Sequence, residues 1–242
     1  MTDASQRIII ALDFPDLAPA LDLAGQIAPR VGMFKVGLEL FNVAGPKAIE
    51  SLRDQGLRVF YDAKLHDIPN TVAGAAAAAG RLGVAMLNVH ALGGRAVMQA
   101  AKEAALRGAR EAGFPPPVVI GVTILTSVGD RDLREEIGLS EPPRDAVLRL
   151  ASLARESGLD GVVCSVREVS DIKRTCGKDF LTVTPGIRPS WAATGDQTRT
   201  ATPGEALSAG SDYLVIGRPV TRADDPAAAL AKILGDMEGP GE

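Results

Sequence analysis

Short apolar runs rich in β-branched side chains recur along the chain, at Arg7–Asp13, Met33–Glu39, Arg58–Leu65, Ala85–His90, Val118–Leu125, Gly161–Val166, Phe180–Ile187 and Tyr213–Val220. Between them lie stretches with helical spacing of apolar positions, among them Leu17–Ala28, Pro46–Gln55, Arg95–Glu111, Arg144–Ser157 and Thr202–Ala209. The runs are apolar without clean alternation, the pattern of strands buried on both faces. Alternating strands and helices predict parallel pairing, because parallel strands need crossover connections rather than tight turns. A doubly wound open sheet competes with a closed barrel. Eight similar units, with no Gly-x-Gly-x-x-Gly after the first run, favour an α/β fold of the (β/α)8 TIM barrel type. The alanine-rich segment Ala73–Ala79 reads as a helix lying close against the barrel. No Ser/Gly linker or charge block divides residues 1–242, so one barrel domain is expected.

Composition narrows the function. The 242 residues suit such a barrel, which typically takes roughly 250. Hydrophobic residues make up 46% and charged residues 23%, an ordinary globular balance. A formal charge of −4 with 4% aromatics lacks the basic footprint and stacking residues of a nucleic-acid binder. Cys164 and Cys176 are too few for a disulfide framework, and Cys164 sits in an apolar run as a small buried side chain. The first residues lead directly into three isoleucines, too short a core for a secretory signal. The longest uncharged stretch, 112–129, contains three consecutive prolines and is no membrane span. A cytoplasmic protein is expected.

Chemistry in a parallel barrel gathers at the C-terminal strand ends, and polar residues gather there in this sequence: Asp13, Lys35, Asp62, Lys64, His90, Thr126, Ser127, Arg188 and Arg218. In Asp62-Ala63-Lys64-Leu65-His66-Asp67-Ile68-Pro69-Asn70-Thr71, strand alternation puts Asp62 and Lys64 on one face. With Lys35 one strand away and Asp67 on the following loop, two lysines and two aspartates make a neutral array. Flanking carboxylates hold a buried lysine as an ammonium. Each such contact is worth about 4 kcal/mol before desolvation, at about 4 Å and a dielectric near 20. Spacing alone leaves open an ion-pair network that closes the barrel without doing chemistry. A second cluster, Thr184-Pro185-Gly186-Ile187-Arg188-Pro189 with Gly195-Asp196-Gln197 and Gly217-Arg218, falls where barrels commonly bind phosphate. His66 and His90, the only histidines, form no metal-binding spacing and read as satisfied structural residues. No nucleophile elbow is present.

These motifs resemble the orotidine 5′-phosphate decarboxylase family over nearly the whole chain, from Ala11-Leu12-Asp13 to Gly217-Arg218-Pro219. Asp62-x-Lys64-x-x-Asp67-Ile68-Pro69-Asn70-Thr71 carries most of the specificity. Phe34-Lys35-Val36-Gly37, Leu125-Thr126-Ser127 and the Arg188 and Gln197 segments accompany it. The resemblance implies decarboxylation of orotidine 5′-phosphate to UMP with neither metal nor organic cofactor. Lys64 would deliver a proton to C6, and Asp62 and Lys35 would hold it charged and contact the ribose with Asp13. Thr126 and Ser127 would face the base, and Arg188, Gln197, Gly217 and Arg218 the phosphate. Asp67 and Thr71 would reach a neighbouring site, which implies a homodimer. Two rivals stay in play. One is a magnesium-dependent 3-keto-gulonate 6-phosphate type decarboxylase, which the Ile68–Thr71 extension and the Gln197 loop oppose. The other is a non-catalytic nucleotide-binding barrel.

Overall fold

The computed structural model describes residues 3–192 and 200–238. Its strands are β1 (Ile8–Ala11), β2 (Met33–Val36), β3 (Val59–Leu65), β4 (Met86–His90), β5 (Val118–Val122), β6 (Gly161–Val163), β7 (Leu181–Thr184) and β8 (Tyr213–Ile216). They pair in chain order, all parallel, and β8 closes on β1 with Ile9 opposite Val215. That last pairing excludes the open sheet and leaves the expected (β/α)8 barrel. Each crossover carries a main helix: α1 (Leu17–Ile27), α2 (Pro46–Asp54), α3 (Pro69–Arg81), α4 (Gly94–Glu111), α5 (Pro143–Glu156), α6 (Val166–Cys176) and α7 (Pro203–Ser208), with α8 (Pro226–Glu238) after the last strand.

Burial explains why the strands read as unbroken apolar runs. Ile8 and Ile10 face the helices while Ile9 faces the barrel axis, and all three are 0% exposed. Inside the barrel, Ile9, Met33, Phe60, Met86, Ile120 and Val183 form one apolar plug. A larger layer between strands and helices includes Phe34, Leu87, Val119 and Leu214.

β3 and β4 end where their apolar runs end, at Leu65 and His90, and other strands end earlier. β2 stops at Val36, and Leu38–Ala44 is a short helix rather than the strand tail expected from Met33–Glu39. β6 stops at Val163, and Ser165 caps α6 by accepting the Arg167 backbone N–H at 3.3 Å. β8 stops at Ile216, ahead of the single turn Arg218–Thr221. At the β8 exit the apolar run continues because Val220 is buried in the layer between strands and helices. The segment after Val128, which matched no motif, contains the short helix Asp130–Glu135.

The small residues of Ala73–Ala79 belong to the longer α3, and their close partner is α4 as well as the barrel. A Cβ at Gly80 would stand 2.3 Å from the Ala105 carbonyl oxygen, and one at Gly108 would stand 2.1 Å from that of Ala77. The helix backbones touch there, which only glycine permits. Cys164 and Cys176 are buried, and neither forms a disulfide among the described residues. Among the described residues no helix is long and apolar enough to cross a membrane.

Candidate active site

Moving two residues up a strand keeps the same face, and in this barrel it changes the chemistry. Above the plug, Met33 gives way to Lys35, Phe60 to Asp62 and Met86 to Asn88. Lys35, Asp62 and Asn88 are all less than 9% exposed. The Lys35 ammonium lies 3.0 Å from Asp13 Oδ1 and 3.3 Å from Asp62 Oδ2. Lys64 Nζ donates to Asp62 Oδ1 at 2.7 Å. The charges therefore run Asp13, Lys35, Asp62, Lys64, alternating in sign. Gly37 leaves room for this chain, since a Cβ there would meet Lys35 Nζ at 2.7 Å.

The array differs from the expected one in its fourth member. Asp13, at the end of β1, supplies the second carboxylate, and Asp67 stands apart. Asp67 is exposed, its Oδ1 accepts the Ile68 backbone N–H at 2.6 Å, and it does not border the cavity of its own chain. Thr71, in the first turn of α3, is likewise exposed and outside that cavity. Asp62 and Lys64 do meet, but not through plain alternation. The β3–β4 register runs from Tyr61↔Leu87 to Leu65↔Val89, so β3 spends four residues where β4 spends two. Within this bulge Lys64 has φ +50°, a left-handed backbone that no other described non-glycine residue adopts.

Burial pulls the Lys35 pKa down, yet the charges of Asp62 and Asp13 outweigh it and leave the pKa above the ordinary lysine value. Burial pushes Asp62 up, and the opposing charges of Lys35 and Lys64, with hydrogen bonds from Lys64 and Asn88, hold it below the carboxylate norm. Both groups are ionised at neutral pH, and each keeps the other so. His90, at the end of β4, is pushed down to about 4 by burial and by the nearby positive charges of His66 and Lys64, with Asp62 opposing. The two histidine rings lie 5.0 Å apart. Contrary to the expectation of a satisfied histidine, His90 Nδ1 is buried with no hydrogen-bond partner among the described residues.

A cavity of about 840 Å³ opens at the C-terminal mouth, with the charge array on one side. Thr126, Ser127, Arg188, Gly217 and Arg218 line it too, so the structure brings together the array and the arginine cluster expected for phosphate. Arg188 is anchored by its own N–H, donated to the Ala201 carbonyl at 2.8 Å across the bridge between Ile187 and Ala201. Gln197 lies outside the described residues. Two residues were given no site role by the sequence. Arg222 lines the cavity one helical turn beyond Arg218, a spacing visible in the sequence. Asn88 touches the array from β4, and its only signal was an amide in a fully buried strand.

A closed parallel barrel whose ionisable groups converge at the C-terminal mouth, in one cavity with three arginines, defines a (β/α)8 protein of the enzyme class. Comparison with known proteins narrows this further. A family model described as orotidine 5′-phosphate decarboxylase / HUMPS family matches residues 6–233. A relative named orotidine 5′-phosphate decarboxylase from Moorella thermoacetica is 53% identical over 235 residues, covering 97% of this chain and 93% of the relative. One of the same name from Halorhodospira halophila is 54% identical, covering 97% of each. The crystal structure of orotidine 5′-phosphate decarboxylase from Lactobacillus acidophilus matches with a TM-score of 0.81 at 40% identity, covering 96% of this chain and 99% of that one. The chain belongs to the orotidine 5′-phosphate decarboxylase / HUMPS family.

Proposed function

We propose that this protein decarboxylates orotidine 5′-phosphate to UMP, with Lys64 as the proton donor. The observation that carries the reading is the Asp13–Lys35–Asp62–Lys64 array lining one cavity with Arg188 and Arg218. When the C6–carboxylate bond breaks and CO₂ leaves, the electron pair stays in the ring plane, where the π-system cannot delocalise it. An ammonium fixed in advance at that position stabilises the developing charge and then gives C6 its proton. Asp62 and Lys35 aim Lys64 and reach the ribose hydroxyls together with Asp13. Thr126 and Ser127 face the base. Arg188, Arg218, Gly217 and Gln197 take the phosphate, and binding energy gained there, remote from C6, supports the chemical step.

The active form in this reading is a homodimer in which Asp67 and Thr71 complete the neighbouring site. Support comes from their exposure outside their own cavity and from large apolar side chains exposed just beyond three consecutive strands: Leu38 and Val43 after β2, Ile68 after β3 and Leu92 after β4. An apolar rim of this kind marks a protein contact. Near the departing carboxylate, Asp67 adds like-charge repulsion to the ground state. The magnesium-dependent sugar-phosphate reading fits less well, because Lys35 and Lys64 already occupy the flanks of the carboxylates a cation would need.

The test is the ultraviolet absorbance of orotidine 5′-phosphate mixed with protein in the presence of EDTA. Rapid loss by the native protein, and a fall of several orders of magnitude in kcat for Lys64→Ala with UMP binding retained, are expected. Turnover that EDTA abolishes would sink the cofactor-free reading, and substantial turnover by Lys64→Ala would remove Lys64 as the donor.

A further inference from the structure

The bulge in β3 leaves a problem for its own backbone. Between the pairs Tyr61↔Leu87 and Leu65↔Val89, residues 62–64 have only Asn88 opposite them, so the regular ladder has no acceptor for the Lys64 N–H. A buried N–H without a partner is costly, and Lys64 already sits at φ +50°, which a side chain with a Cβ resists. The Asn88 side chain answers both needs. Its Oδ1 accepts the Lys64 backbone N–H at 2.7 Å, and its Nδ2 donates to Asp62 Oδ1 at 2.6 Å. The amide orientation is chemically forced, since a backbone N–H only donates and an ionised carboxylate only accepts. Asp62 Oδ1 is also the atom that receives Lys64 Nζ at 2.7 Å. One fully buried amide thus fixes both ends of the lysine, its backbone directly and its ammonium through Asp62.

We propose that Asn88 is the positioning residue of the site, holding Lys64 in its left-handed bulge and turning Asp62 to aim the Lys64 ammonium. This deepens the decarboxylase reading and rests on it for the kinetic consequence. Asparagine is specified by shape and by charge. Alanine would leave two orphaned partners, and an isosteric aspartate would set a second carboxyl against Asp62. Around that pair stand Lys35 from β2, Lys64 from β3 and the neutral His90 from β4, and among the described residues Asp62 is the one titratable side chain hydrogen-bonded to the amide. Two adjacent carboxyls share a proton, and the protonated one donates to Asp62 as the amide does. Rising pH removes that proton and the mimicry with it.

The experiment measures kcat, KM and UMP affinity from pH 5 to pH 9 for native, Asn88→Ala and Asn88→Asp proteins, with thermal unfolding at each pH. For Asn88→Ala, kcat is expected to fall roughly 100-fold, the scale of a small misplacement of a reacting group, while UMP affinity stays within a few-fold of native. For Asn88→Asp, kcat relative to native is expected to be highest at pH 5 and to fall roughly tenfold or more by pH 8. Its Tm deficit relative to native is expected to widen with pH, since a carboxyl with a raised folded pKa loses its contribution as pH rises. A native kcat in Asn88→Ala, or equal losses of kcat and UMP affinity, would overturn the proposal. So would a pH-independent kcat ratio for Asn88→Asp. If Asn88→Ala does not fold, the aspartate variant decides alone. If the native protein does not decarboxylate orotidine 5′-phosphate, the functional reading fails, and the Tm deficit still tests the clamp: widening supports it and a flat deficit overturns it.

Discussion

Lys35 and Asp62 show how a buried charge survives. Each is destabilised by leaving water, and each is returned to its charged form by the other and by a second partner. The dependence has a sign. Because the Asp62 pKa is depressed on folding, its contribution is complete above the ordinary carboxylate value of about 4 and is lost as pH falls through the folded value. Urea unfolding of native and Asp62→Asn proteins should therefore give a stability difference that shrinks between pH 6 and pH 3. A constant difference would mean that Asp62 is not held ionised by its lysines. In the proposed reaction Arg218 would hold the phosphate, remote from bond breaking. Arg218→Ala is expected to raise KM roughly 10- to 100-fold, the value of a charge-assisted hydrogen bond of about 1.5–3 kcal/mol, and an unchanged KM would take it out of the phosphate site. At this scale the sequence was informative wherever a charged residue fell at a strand end, because charge is rarely buried without purpose. The role of Asn88 was invisible because it depends on a bulge that no local pattern announces. Asp13 took the place given to Asp67 because β1 pairs with β2, with Ala11 opposite Lys35, so the residue just past the end of β1 meets the Lys35 ammonium.

At the scale of elements, the β/α alternation was legible because each strand is buried on both faces and each main helix carries one apolar stripe. The ends of β3 and β4 were legible too, at Leu65 and His90, but others were not, since the apolar run continues through the exit into short helices such as Leu38–Ala44 and Arg218–Thr221. The start of α6 was hidden for the same reason, with Val166 read as strand and used as the first residue of a helix. The α3–α4 contact has a direct test in Gly108→Ala. Helix propensity alone favours alanine by about 1 kcal/mol. Against it, the new Cβ would stand 2.1 Å from the Ala77 carbonyl oxygen, so backbone must move, and overpacking of this kind costs about 1–3 kcal/mol or more. A net loss in stability is expected by chemical denaturation, and a gain would show that the two helices separate easily.

For the whole molecule, the proposed exchange of Asp67 between subunits makes activity a property of pairs. Lys64→Ala and Asp67→Ala proteins, each inactive alone, should recover activity when refolded together, because half of the dimers formed then hold one complete site. Recovery of roughly a quarter of native activity is expected from equal mixing, and no recovery from subunits shown to have exchanged would place Asp67 in its own site.

The apolar plug beneath the array has a consequence for traffic. Ile9, Met33, Phe60, Met86, Ile120 and Val183 seal the barrel from below, so it is a cul-de-sac with one doorway. Whatever enters by the mouth must also leave by it. In the proposed reaction, UMP has to back out past the same rim arginines that welcomed the substrate, and no new molecule can follow until it has gone. The grip that draws the phosphate in therefore also sets how long the doorway stays blocked.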